Sequence, residues 1–184
     1  MIKLVALRDL IQLDEVLLNE KIEKFSNNHI NKEVELFLKH KAIRFEKQDI
    51  SRTTLIIEGD ELVGYFAIAN KAFFIDALTW NSLSKTQRKK YIPDNIRDAV
   101  ERVAPQSLLL GQIGKNFVSE AQISGQELLR LAEEELYRIY QYGGGRYFWL
   151  ECLNKDVLIE FYSSNGYEKF SESGEYCLMI KRIK

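Results

Sequence analysis

Proline and cysteine are both scarce in this chain, two of each among 184 residues, and histidine also occurs only twice. Without a disulfide framework or a metal clip, stability has to come from an apolar core, and a chain of this length buries roughly 70% of the surface it exposes when unfolded. A hydrophobic content of 46% supplies that core and excludes intrinsic disorder. Cys152 and Cys177 form no CxxC pair and each sits in an apolar, strand-like run. They read as two buried thiols rather than as a disulfide or a nucleophile. His29 falls on a loop and His40 on a helix face, away from every element singled out below, so no metal is expected.

No charge of one sign dominates either. Twenty-six basic residues stand against twenty-seven acidic ones, for a net charge of -1 and a pI near 6.2. No global field would hold the chain on DNA or anionic lipid, so a nucleic-acid contact has to come from a local patch. Long hydrophobic runs are missing, and Met1 to Leu13 lacks the charged region, apolar stretch and small-residue cleavage site of a leader. The expectation is a soluble, cytoplasmic protein with no membrane and no DNA partner. Internal repeats and low-complexity segments are absent from the sequence as well.

What is present is an alternation of short strands and amphipathic helices. Ile2–Leu7 is strand-like, and Leu10, Leu13 and Leu17, then Leu18, Ile22 and Phe25, follow at helical spacing. Asn31 is positioned to cap a second helix with the stripe Val34, Phe37, Leu38, Ala42 and Phe45. Thr53–Glu58 and Leu62–Ala69, joined by Gly59 and Asp60, predict an antiparallel hairpin. Residues 70–106 read as an insertion with helical pieces and a basic run, Lys85, Arg88, Lys89 and Lys90, beside Tyr91. Strand Ser107–Gly114, helix Gly125–Tyr142 and strand Tyr147–Cys152 then predict a βαβ crossover with two parallel strands. A short helix, Lys155 to Ser164, stops at Asn165 and Gly166, and Tyr176–Ile183 closes the chain as a strand.

Two places suggest chemistry. The loop Lys115–Ser124 leads into a helix N-terminus, where backbone amides and the helix dipole attract phosphate, with Gly125 offering close approach and Ser124 a hydroxyl. The second is FYSSNGY, Phe161 to Tyr167, at the end of the short helix. This order of elements with that motif resembles the GNAT N-acetyltransferase family over most of the chain. The family's phosphate loop pattern Q/R-x-x-G-x-G/A falls on Glu120 to Gly125, and Gly125 is the residue that keeps it.

The resemblance implies an α+β GNAT fold in a single domain over residues 1–184, with the insertion at about 70–106. It implies a mixed, mostly antiparallel sheet flanked by helices, and a parallel strand pair that splays beyond Gly114 to admit acetyl-CoA. By the same carry-over, Gln112 and Ile113 bind the pantetheine through backbone groups. The amides of Gln122, Ile123, Ser124, Gly125 and Gln126 hold the pyrophosphate. Asn154 reaches the pantetheine or nucleotide, and Tyr162 is the general acid for the leaving thiolate. The implied activity is transfer of the acetyl group of acetyl-CoA to a primary amine of a small or macromolecular acceptor, without a metal. Homodimers are frequent in the family. Glu151 and Asp76 are the carboxylates in range of consideration as a base, and neither is assigned. Two alternatives stand beside this reading. The basic run and the long insertion resemble the tRNA-acetylating toxins of the family, which act on aminoacyl-tRNA. The departures at Glu120 and Ile123 instead suit a catalytically inactive CoA-binding or interaction module.

Overall fold

A computed structural model describes residues 1–28, 30–92 and 102–183; His29 and Pro93 lie outside the described residues. The chain forms two compact units, Met1–Ala69 with Leu110–Arg138, and Asn70–Leu109 with Ile139–Lys184.

The first unit opens with β1 (Ile2–Ala6) and α1 (Leu7–Glu23). Asp14 interrupts α1 with extended backbone (φ -161°, ψ 97°), and its Oδ1 accepts the N–H groups of Val16 and Leu17, each at 3.0 Å. Asp14 therefore caps a helix that restarts there. The restart changes the phase of the stripe: Leu18, Ile22 and Phe25 are buried as expected, but Leu13 and Leu17 are 79% and 52% exposed. Asn31 caps α2 (Lys32–His40) by accepting the Glu33 N–H at 3.0 Å. The helix expected to run on to Phe45 breaks at Lys41, and α3 (Ala42–Lys47) follows. The hairpin is β2 (Arg52–Glu58) and β3 (Glu61–Ala69), turning at Gly59 with φ 60°. β1 pairs with β2, and β2 with β3, all antiparallel. Leu7, Ile22, Phe25, Val34, Leu38, Leu55 and Tyr65 form the core of this unit.

In the second unit the insertion forms β4 (Ile75–Asp76), α4 (Ala77–Ser82), α5 (Lys85–Tyr91) and β5 (Arg102–Val103). β4 and β5 make a small separate antiparallel ladder. Next come β6 (Ser107–Lys115) and α6 (Gly125–Gly143), each divided between the units, then β7 (Tyr147–Leu153), α7 (Asp156–Ser164), β8 (Glu168–Ser173) and β9 (Tyr176–Arg182). β6 and β7 are parallel, as the crossover requires, and the pairs are Ser107–Tyr147, Leu108–Phe148 and Leu109–Trp149. Pairing thus ends at Leu109, well before the expected divergence beyond Gly114. β7 and β8 both pair antiparallel with β9. The unit's core is aromatic, with Phe73, Tyr147 and Trp149 at its centre and Tyr91 and Phe170 against it. The hydrogen-bonded strand order is β1-β2-β3-β6-β7-β9-β8. No described helix is long and apolar enough to cross a membrane.

Candidate active site

The loop after β6 belongs to the first unit. Gly114 precedes it because nothing larger fits: a Cβ there would stand 2.4 Å from Val34 Cγ1. Asn116, buried, starts the loop, and Ser119, also buried, donates its hydroxyl to Glu61 Oε2 at 2.8 Å. Ile123, expected from the resemblance to stand at a glycine position of the loop pattern, is buried in the core, so its side chain does not enter the space above the helix end. Ser124 caps α6 by accepting the Glu127 N–H at 3.0 Å, while its carbonyl accepts the Leu128 N–H. Its hydroxyl hydrogen is still oriented by choice of partner, as a donor to phosphate requires. Gln122 is folded back, its side-chain amide donating to the Ser119 carbonyl. Gln112 and Ile113 are half-buried on β6. Two cations flank the loop. Lys115 lies over the Phe117 ring at 5.0 Å. Arg130, one turn into α6, is forked onto Glu127 at 2.8 and 2.7 Å, which lowers the Glu127 carboxyl pKa and raises that of the guanidinium.

The other candidate residues belong to the second unit. α7 carries its buried residue, Tyr162, with 7% exposure. The ring is edge-on to Phe161 at 5.1 Å and to Tyr167 at 5.8 Å. Burial, with the Cys152 thiol as the second cause, pushes the Tyr162 phenol well above its ordinary pKa. It therefore keeps its proton throughout the neutral range. Cys152 and Cys177 are register partners on β7 and β9, both free and buried, with Sγ atoms 3.4 Å apart; burial and the neighbouring thiol raise the Cys152 pKa. Asn154 lies ahead of the helix rather than opening it: Lys155 is the cap position. Its Nδ2 donates to Glu172 and its Oδ1 accepts from Lys169, both at 3.1 Å.

The two carboxylates considered as bases fare differently. Asp76 is the N-cap of α4, accepting the Thr79 N–H at 2.9 Å and the Thr79 hydroxyl at 2.7 Å. These bonds lower its pKa and make it a poor proton acceptor. Glu151 is exposed on β7. In the basic run, Arg88 is diverted: its Nε donates to the Trp80 carbonyl at 2.9 Å and its Nη2 to the Asn81 carbonyl at 3.0 Å. It also lies over the Trp80 ring. Sequence spacing could not reveal that Arg88 fastens α4, since its partners are backbone carbonyls. Lys85, Lys89 and Lys90 are exposed. His40 is exposed in the last turn of α2. Among the described residues no cluster of His, Cys, Asp or Glu could hold a metal ion.

The mixed, mostly antiparallel sheet, the crossover into a parallel pair and the flanking helices are the GNAT fold. Solved structures with this fold include a tyrosine-to-phenylalanine mutant of KacT. It superposes with TM-score 0.69 at 19% identity over 98% of this chain and 94% of that one. AtaT complexed with acetyl-methionyl-tRNAfMet superposes with TM-score 0.67 at 16% identity, over 99% of this chain and 95% of that one. AtaTR bound with acetyl-CoA gives TM-score 0.67 at 16% identity, over 98% and 93%. No protein-family model and no curated protein matches the chain.

Proposed function

We propose that this protein is an acetyltransferase that moves the acetyl group of acetyl-CoA to a primary amine, with Tyr162 as general acid. The observation that carries the reading is a buried phenol, held protonated, in FYSSNGY directly after a β6–α6–β7 crossover. Acetyl-CoA, when bound, supplies a thioester open to attack by a neutral amine. Tyr162 Oη gives a proton to the departing sulfur, and the amine proton leaves to solvent or to a base. The low-dielectric surroundings that raise the Tyr162 pKa also disfavour an unprotonated thiolate. The turn ending at Gly125, with the Ser124 hydroxyl and the positive end of α6, takes the pyrophosphate. The donor fits there because Ile123 is turned into the core and because Lys115 adds positive charge at the start of the loop. Gln112 and Ile113 serve the pantetheine.

Aminoacyl-tRNA is the acceptor to test first. KacT and AtaT share the fold, AtaT has been solved with acetyl-methionyl-tRNAfMet, and the exposed Lys85, Lys89 and Lys90 on α5 suit phosphate contacts. AtaT and KacT have also both been solved as tyrosine-to-phenylalanine mutants, which supports asking the same question of Tyr162. Calorimetric titration with acetyl-CoA is expected to give one site per chain. Gly125→Val, which sets a branched side chain at the helix end, is expected to weaken that site roughly tenfold. No binding at millimolar acetyl-CoA would overturn the reading and leave a non-catalytic module.

A further inference from the structure

We infer that Asn116 is the positioning residue of the phosphate-binding turn, an inference that rests on the proposed acetyl-CoA reading. The side chain is buried, and every polar group on it is used. Its Oδ1 accepts the Ser26 N–H at 3.1 Å and the Val118 N–H at 3.3 Å, and its Nδ2 donates to the Leu62 carbonyl at 2.7 Å. Its own N–H donates to the Val63 carbonyl at 2.9 Å, and its carbonyl accepts the Gln122 side-chain amide at 3.5 Å. One residue thus fastens β3, the connection between α1 and α2, and both ends of the loop it begins. Phe117 repeats the tie, its N–H reaching the Ser26 carbonyl at 2.8 Å. Ser26 is itself fixed, its hydroxyl donating to Glu35 Oε2 at 3.3 Å.

A strand that merely ended here would need one or two of these bonds. The additional ones reach forward, to Val118 and Gln122, along a stretch with no ladder or helix to order it. Ligand binding to a turn that is already ordered escapes the entropy of ordering it. Asn116 accordingly acts on donor affinity through the loop, without touching the donor.

The test is calorimetric titration of acetyl-CoA into the wild type, Asn116→Ala, Gln122→Ala and Asp14→Ala. Asp14→Ala removes a cap elsewhere in the same unit and controls for lost stability. The Kd is expected to rise roughly threefold to tenfold in the Asn116 and Gln122 variants and to stay within about twofold of wild type in the Asp14 variant. Gln122 is exposed, so Gln122→Ala, which takes its amide from the Ser119 and Asn116 carbonyls, still tests the ordering of the loop if Asn116→Ala does not fold. Unchanged Kd in the loop variants, or an equal rise in all three, overturns the positioning role while the acetyl-CoA reading stands. Failure of the wild type to bind removes both.

Discussion

Substituting Gly114 by alanine should expose how tightly α2 is pressed against β6. The new Cβ would lie 2.4 Å from Val34 Cγ1, 3.1 Å from Tyr65 Cε1 and 3.3 Å from Phe25 Cζ. Comfortable carbon contacts are about 3.5–4.0 Å. Val34 cannot swing aside, because a valine in a helix has one strongly preferred rotamer. Nor can Tyr65, whose hydroxyl donates to the Val34 carbonyl at 2.5 Å. Helix and strand must therefore separate slightly. An overpacked core of this kind costs about 1–3 kcal/mol, so 2 kcal/mol would lower Tm by about 4–8 °C in a chain of this size. Val34→Ala alone should cost about 1.6 kcal/mol for the two methyl groups lost from the core. In the double variant the cavity receives the new methyl, and its cost should fall short of the sum of the two single costs by about 0.5–3 kcal/mol. Denaturant unfolding of the four proteins measures this cycle. A neutral Gly114→Ala, or strict additivity with Val34→Ala, would refute the packing argument.

Tyr162→Phe removes the proton and leaves the ring against Phe161 and Tyr167, so kcat should fall by about 10²–10⁴ with the acetyl-CoA Kd unchanged. Steady-state turnover on aminoacyl-tRNA beside a titration reads both, and undiminished kcat would end the general-acid assignment. Burial raises the phenol pKa values of Tyr65 and Tyr162 and the thiol pKa of Cys152. The unfolded chain then releases these protons first, so stability should fall as pH rises, from about 8.5 for the thiol and from about 10 for the phenols. A denaturation midpoint that climbs in that range would contradict the burial of these groups.

Most of the fold was legible because its long elements carry strong patterns. The hairpin turn at Gly59, the Asn31 cap and the β6–α6–β7 crossover all follow from local chemistry. Elements that carry little pattern escaped. β8 reads EKFSES, an edge strand whose side chains are mostly exposed, so nothing alternates. β4 and β5 are two residues each, and their pairing joins segments far apart in the chain. The restart of α1 at Asp14 escaped too, since a leucine-rich stripe looks continuous until a carboxylate claims two backbone amides. At the candidate site, the glycine and tyrosine were legible as motif positions. Asn116 was not, because its importance lies in bonds to Ser26 and Leu62, which no spacing rule brings together.

The division of the chain also sets a schedule for synthesis. The first unit takes Met1–Ala69 and then nothing until Leu110–Arg138. β3, with Leu62, Val63, Tyr65, Phe66 and Ile68 buried in the finished protein, leaves the ribosome well before its neighbour β6. At about 5–20 residues per second, the intervening stretch takes roughly 2–8 s to make. Throughout that interval an apolar strand edge waits unpaired, the kind of template on which nascent chains associate. Expression yield should therefore depend on translation speed across residues 70–109, the stretch that separates the two segments of the first unit.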